Sequence, residues 1–152
     1  MIKVNVEIKD KSWHKKNNNL KKYFSKKLKK IYKVIPFFKK KDVTFTILLT
    51  NSYNMKKLNK KFRKLNKSTD VLSFPFFPPK KLKLIKEKNI YLGDIAISYE
   101  IINTRSKRNN FYFEFDKVWV HGLLHLVGYN HIKNKDFFMM NRAEKNILSL
   151  IS

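Results

Sequence analysis

Apolar and polar residues alternate from the second position of the chain. Ile2, Val4, Val6 and Ile8 fall on one side of an extended segment, and Lys3, Asn5 and Glu7 on the other. This two-residue period predicts a strand with one buried face. After a polar connection at Lys15–Asn19 the period changes: Leu20, Phe24, Leu28, Ile31 and Ile35 recur at helical spacing with lysines between them, predicting an amphipathic helix that Pro36 stops. Val43, Phe45, Ile47 and Leu49 restore the alternation of a second strand. Ser52 is a candidate cap for a short helix turning Met55, Leu58 and Phe62 inward. A polar loop then leads to a short strand over Asp70–Phe74, ended by Pro75, Pro78 and Pro79, and Lys80–Lys88 reads as a surface excursion. Ile90–Ser98 predicts a fourth strand, in which Gly93 permits close approach of another backbone. Ser98 is placed to cap a helix reaching about Arg108, and a longer helix runs from about Phe113 to Val127. Asp136 is placed to start a last helix carrying Phe138, Ala143, Ile147 and Ile151.

The order β-α-β-α-β-β-α-α-α implies an α+β fold: a single small domain over residues 1–152, with a roughly four-stranded mixed sheet covered by about five helices. A hydrophobic content of 43% excludes global disorder. The chain opens directly into a strand pattern rather than a leader, no apolar run is long enough to span a bilayer, and cysteine is absent. These features lead us to expect a cytoplasmic protein. The net charge of +24 points towards polyanions, with an attraction that falls steeply with salt. All but four of the 35 basic residues are lysine, and asparagine, isoleucine and phenylalanine are abundant beside them. An AT-rich genome produces that same bias at unconstrained surface positions, so charge alone does not establish a nucleic-acid partner.

The chemistry is concentrated in His121-Gly-Leu-Leu-His125-Leu-Val-Gly128-Tyr-Asn-His131, which holds three of the four histidines. His121 and His125, four apart, share one face of a helix. Gly128 can end that helix in the left-handed conformation and bring His131 back towards the other two. Three imidazoles converging with an open fourth position suit a catalytic zinc, one per chain. A structural zinc would want a fourth protein ligand, yet there is no cysteine and His14 lies in a distant polar run. The spacing is metzincin-like, except that the metzincin glutamate is replaced by Gly122. Peptide hydrolysis by the usual route lacks its general base.

Together these segments resemble the YbeY family of bacterial metal-dependent endoribonucleases. The histidine run is similar to the family's H-G-x-L-H-L-x-G-Y-D-H, Thr69-Asp-Val-Leu-Ser-Phe-Pro75 to T-D-V-L-S-F-P, and Leu92-Gly-Asp-Ile-Ala-Ile-Ser98 to L-G-D-I-x-I-S. Leu58-Asn59 with Arg63 fits L-N-x-x-x-R, and Met140, Glu144, Ile147 and Leu148 have the look of the family's tail. The resemblance covers most of residues 50–150, in order. It implies a zinc-dependent, single-strand-specific endoribonuclease that matures the 3′ end of small-subunit ribosomal RNA and takes part in ribosome quality control. Its expected partners are precursor ribosomal RNA and the small ribosomal subunit. It implies His121, His125 and His131 as metal ligands, and His121 and Arg63 as catalytic residues.

Arg63 suits the anionic transition state of a phosphodiester; the alternative is a structural ion pair with Asp70 or Glu100. The general base stays open among Asp70, which equally suits backbone capping, and a hydroxide needing no protein base. Ser73 and Phe74 are expected along a groove opposite the histidine helix, Phe74 as core or as a base-stacking surface. Tyr129 is expected either to contact substrate or to pack against the turn, and Trp13, Trp119 and most phenylalanines to form the core. Asn130 stands where the family has aspartate, which predicts weaker metal binding or turnover. Two other readings remain: an RNA- or ribosome-binding factor with a non-catalytic metal site, and a metzincin-like protease.

Overall fold

The four alternating segments pair into one sheet. β1 (Ile2–Ile8), β2 (Asp42–Thr50), β3 (Val71–Pro75) and β4 (Asn89–Ser98) lie in the order β1-β2-β4-β3. The computed structural model describes residues 1–152. β1 runs parallel to β2 and β2 to β4, whereas β3 returns antiparallel to β4, so the sheet is mixed as expected. Parallel neighbours need crossover connections. α1 (Leu20–Ile31) and α2 (Pro36–Lys40) occupy the first; α3 (Ser52–Arg63), β3 and α4 (Pro79–Leu82) occupy the second. After the sheet come α5 (Tyr99–Arg105), α6 (Phe111–Leu126) and α7 (Asn134–Ile151).

One face of the sheet carries the main core. Val43, Phe45, Ile47 and Leu49 of β2 meet Phe24 and Leu28 of α1 and Phe115, Trp119 and Leu123 of α6, all within one buried cluster. Each such fully buried side chain contributes about 1.5–3 kcal/mol. Both tryptophans belong to it, and the Trp13 indole N–H donates to the Thr50 carbonyl at 2.9 Å. The opposite face is thinner: Met55 of α3 packs on Leu72 and Ala96, with Leu48, Leu58 and Phe74 around them. α6 is therefore the central helix, buried on most of its surface and packed on β3, β4, α5 and α7.

The structure departs from the expected elements where local chemistry decided. Seven α-helices form rather than about five. α1 ends at Ile31, short of Ile35, so Pro36 does not stop it; Pro36 starts α2 instead, because its missing N–H costs nothing at a first helical position. Asn51, not Ser52, caps α3 by accepting from Asn54 N–H at 2.9 Å; the Ser52 hydroxyl bonds that of Ser98 instead. Ser98 makes no capping bond to α5, which ends at Arg105. Asn110 caps α6 and starts it at Phe111. The Lys80–Lys88 excursion is not all surface, since α4 buries Leu82 within it.

Two residues expected inside are exposed. Phe138 lies two positions from the buried Met140, on the far side of α7, and is 69% exposed. Phe62, 54% exposed in the last turn of α3, lies edge-to-face on Phe74 at the rim of the sheet. Gly93 answers its expectation: it takes a φ of +130°, and a Cβ there would stand 2.1 Å from the Phe74 carbonyl oxygen. No helix is long and apolar enough to cross a membrane.

Candidate metal centre

His121 and His125 occupy successive turns at the C-terminal end of α6, so their rings leave the helix on the same side. The helix closes at Gly128, with a φ of +97°. Gly128 N–H donates to the His125 carbonyl at 3.1 Å and Tyr129 N–H to the Leu124 carbonyl at 3.0 Å. This crossed pair is the Schellman closure, which needs a left-handed residue at the turn. The reversed chain brings His131 back. Ring centroids are 4.6 Å apart for His121–His125, 5.1 Å for His125–His131 and 5.7 Å for His121–His131. One nitrogen from each ring lies within 4.8 Å of the other two.

The hydrogen bonds indicate what these nitrogens present. His125 Nδ1 stands 3.0 Å from the Tyr129 carbonyl oxygen, which can only accept, so Nδ1 carries the proton. Burial, with His121 beside it, holds the His125 imidazole below the usual histidine range, and the ring is neutral at pH 7. His121 Nδ1 lies 2.5 Å from Glu144 Oε1 and donates to that carboxylate. With each Nδ1 bonded on the far side of its ring, the two Nε2 atoms face each other 3.0 Å apart. Lone pairs on both would repel, and either a proton or a metal ion can be shared between them. A shared cation resolves the arrangement, and nitrogens bound to one tetrahedral zinc stand roughly 3.3 Å apart for bonds of about 2.0–2.1 Å. The donor set fits the ion.

Gly122 sits directly beneath this pair. Its position is buried, and a Cβ there would lie 2.8 Å from Ile95 Cγ2 and 3.1 Å from Ser73 Oγ. The Ser73 hydroxyl donates to the Gly122 carbonyl at 3.1 Å. Ser73 is thus 7% exposed and packed under α6 rather than lining an open groove, which corrects the expectation for it. Phe74 is half-buried in the smaller cluster, and Tyr129 packs on the main core while its carbonyl orients His125.

Arg63 lies at the end of α3 and donates from Nη2 to the Ser73 carbonyl at 3.1 Å. It takes neither proposed structural ion pair. Asp70 is held by Arg105 Nη1 at 2.6 Å, and Glu100 accepts from Ser52 N–H at 2.9 Å. The guanidinium is tied to the histidine helix through a chain of two bonds, Arg63 to Ser73 and Ser73 to Gly122. Asp70 is poorly placed to act as a base, because its second oxygen already accepts from Val71 N–H at 2.8 Å. Asn130 accepts from Ile132 N–H at 3.4 Å inside the turn, a role that asparagine and aspartate fill alike. Glu144, noted in the sequence only as part of a resemblance, is brought onto His121 from α7; no local spacing could have paired them. A cavity of about 400 Å³ borders His121 and Glu144, with Asp70, Arg105, Lys117 and Lys145 on its walls.

The chain is similar to known proteins over nearly its whole length. The family model described as endoribonuclease YbeY matches residues 5–152. The chain is 45% identical to the endoribonuclease YbeY of Pelagibacter ubique, over 99% of this chain and 97% of that protein. It is 38% identical to the endoribonuclease YbeY of Buchnera aphidicola, over 88% and 83% respectively. A solution structure of a Thermotoga maritima protein shares the fold, with a TM-score of 0.62 at 24% identity, covering 99% of this chain and 89% of that one. With a family match across nearly its whole length and three histidines converging at the end of its central helix, this chain belongs to the YbeY endoribonuclease family.

Proposed function

We propose that this protein is a zinc-dependent, single-strand-specific endoribonuclease of the cytoplasm that acts on precursor ribosomal RNA. Its proposed tasks are maturation of the 3′ end of the small-subunit RNA and quality control at the small ribosomal subunit. The observation that carries the metal reading is the convergence of three imidazoles, one nitrogen of each within 4.8 Å of the other two. The His121 and His125 Nε2 atoms stand 3.0 Å apart, and each of those rings is held by an Nδ1 hydrogen bond on its far side. His121, His125 and His131 would hold the ion. When bound, zinc acts as a Lewis acid on a phosphoryl oxygen and brings the acidity of water near neutrality. Arg63 supplies a planar cation for the non-bridging oxygens, where a phosphodiester gathers charge. Lys133 and Lys135, both exposed just after His131, add to the field that draws RNA in.

Metal analysis combined with cleavage of a ribosomal RNA precursor tests this reading. About one zinc per chain is expected, with cleavage lost to chelator and restored by zinc. The charge of +24 favours a second reading, a binding factor without turnover. Salt-sensitive RNA binding that survives chelation, with no cleavage at any metal content, would establish that instead.

Arg63→Ala is expected to lower single-turnover cleavage by roughly 10²- to 10³-fold, the size typical of losing one transition-state donor. Zinc content should not change, because Arg63 touches no histidine. Arg63→Lys should recover only part of the rate, lacking the planar fork. An unchanged rate in Arg63→Ala protein would remove Arg63 from the site.

A further inference from the structure

We infer that Glu144 is a positioning residue for the metal centre: from α7 it holds the His121 ring in the tautomer and orientation that turn Nε2 towards His125 and His131. This rests on the reading of the three histidines as ligands. The contact itself is short, 2.5 Å between Nδ1 and Oε1. Its placement is unusual. Glu144 stands four residues after the buried Met140 and three before the buried Ile147, so it lies along the core-facing stripe of α7, with a side chain 24% exposed. A carboxylate on such a stripe loses solvation and needs a partner.

Of the cations lining the same cavity, Lys145 makes no ion pair with Glu144, and the other two are engaged elsewhere. Arg105 is bonded to Asp70 at 2.6 Å, and Lys117 lies 3.4 Å from Glu114. His121 is the hydrogen-bond partner of Glu144. The three rings are also held differently. His125 is oriented by the carbonyl of Tyr129, from the turn that follows its own helix. His131 is exposed, and its ring makes no hydrogen bond to a carbonyl or carboxylate. His121 alone is oriented by a separate element, so the seating of α7 on α6 sets the direction of its lone pair. A hydrogen bond from a ligating imidazole to a carboxylate fixes the ring and raises its basicity, and losing one typically costs roughly 10- to 100-fold in metal affinity.

The test has a readout that needs no metal. In zinc-free protein, ¹⁵N NMR of the imidazoles should show His121 protonated at Nδ1 in the wild type, and a mixture of tautomers in Glu144→Ala. Zinc affinity by competition with a chromophoric chelator should fall roughly 10- to 100-fold in Glu144→Ala. Glu144→Gln, which keeps an oxygen acceptor, should stay closer to wild type. Should the alanine variant fold poorly, Glu144→Leu keeps the apolar stripe filled while removing the acceptor, and the same two readouts apply. Unchanged tautomer and affinity in a variant that still binds zinc would overturn the positioning role alone, even if its melting temperature dropped. A wild-type protein that takes up no zinc would defeat the ligand reading, and this inference with it.

Discussion

His121→Ala is expected to remove both the zinc and the cleavage. The ring supplies one of three convergent nitrogens, and its Nε2 faces that of His125 at 3.0 Å. The loss should exceed the roughly 10- to 100-fold typical of deleting an outer partner, because a ligand itself is gone. Folding should survive. The His121 side chain is 33% exposed, and Gly122, Leu123 and Leu124 beside it carry the packing of α6. The Glu144 carboxylate left behind is 24% exposed and can take solvent. The expected signature is therefore a melting temperature near wild type, zinc far below one per chain, and cleavage at the level of chelated enzyme. Variant protein that lost its metal yet cut RNA at the wild-type rate would mean a contaminating nuclease, and the proposed site would have no part in the reaction.

What the sequence disclosed and what it hid follow from range. Strand alternation, the lysine-faced helix and the His121–His125 pair are properties of neighbours along the chain, and all appear in the structure. Gly128 was legible because a helix end needing a left-handed residue leaves few alternatives. Caps were harder. Asn51 and Ser52 are both good capping residues one position apart, and the choice fell to Asn51 because the Ser52 hydroxyl had a partner across the sheet in Ser98. Phe138 and Phe62 were misplaced inside because helical spacing gives a face without saying where the neighbouring layer ends. The Glu144–His121 bond joins residues 23 apart on different helices, and the Arg63–Ser73–Gly122 chain crosses three elements. Contacts of that kind exist only once the layers have packed. The three ligand candidates were therefore visible in the sequence, while the groups that orient them were not.

Gly122→Glu restores the residue that a metzincin protease carries beside its first histidine, and it should unfold the protein before it creates a protease. The glycine lies where α6 meets the sheet. A Cβ alone would stand 2.8 Å from Ile95 Cγ2, 3.3 Å from Ile95 Cδ1 and 3.1 Å from Ser73 Oγ. Ile95 is fully buried in the core and β-branched, so it has little freedom to withdraw. For Gly122→Ala, crowding of about 1–3 kcal/mol is partly offset by the roughly 0.5–1 kcal/mol that alanine gains over glycine within a helix. The net is a modest loss, of about 1 kcal/mol. Glutamate adds a carboxylate at a buried position, where an unpaired charge costs several kcal/mol more, and displaces the Ser73 hydroxyl from the Gly122 carbonyl. At about 2–4 °C per kcal/mol for a chain of this size, Gly122→Glu should melt more than about 10 °C below wild type, and Gly122→Ala only a few degrees below. Thermal unfolding of the zinc-free proteins measures both, free of any change in metal binding. A Gly122→Glu protein with the wild-type melting temperature would show that this helix has room for the protease residue. Steric contact with the sheet would then no longer explain why this position carries glycine.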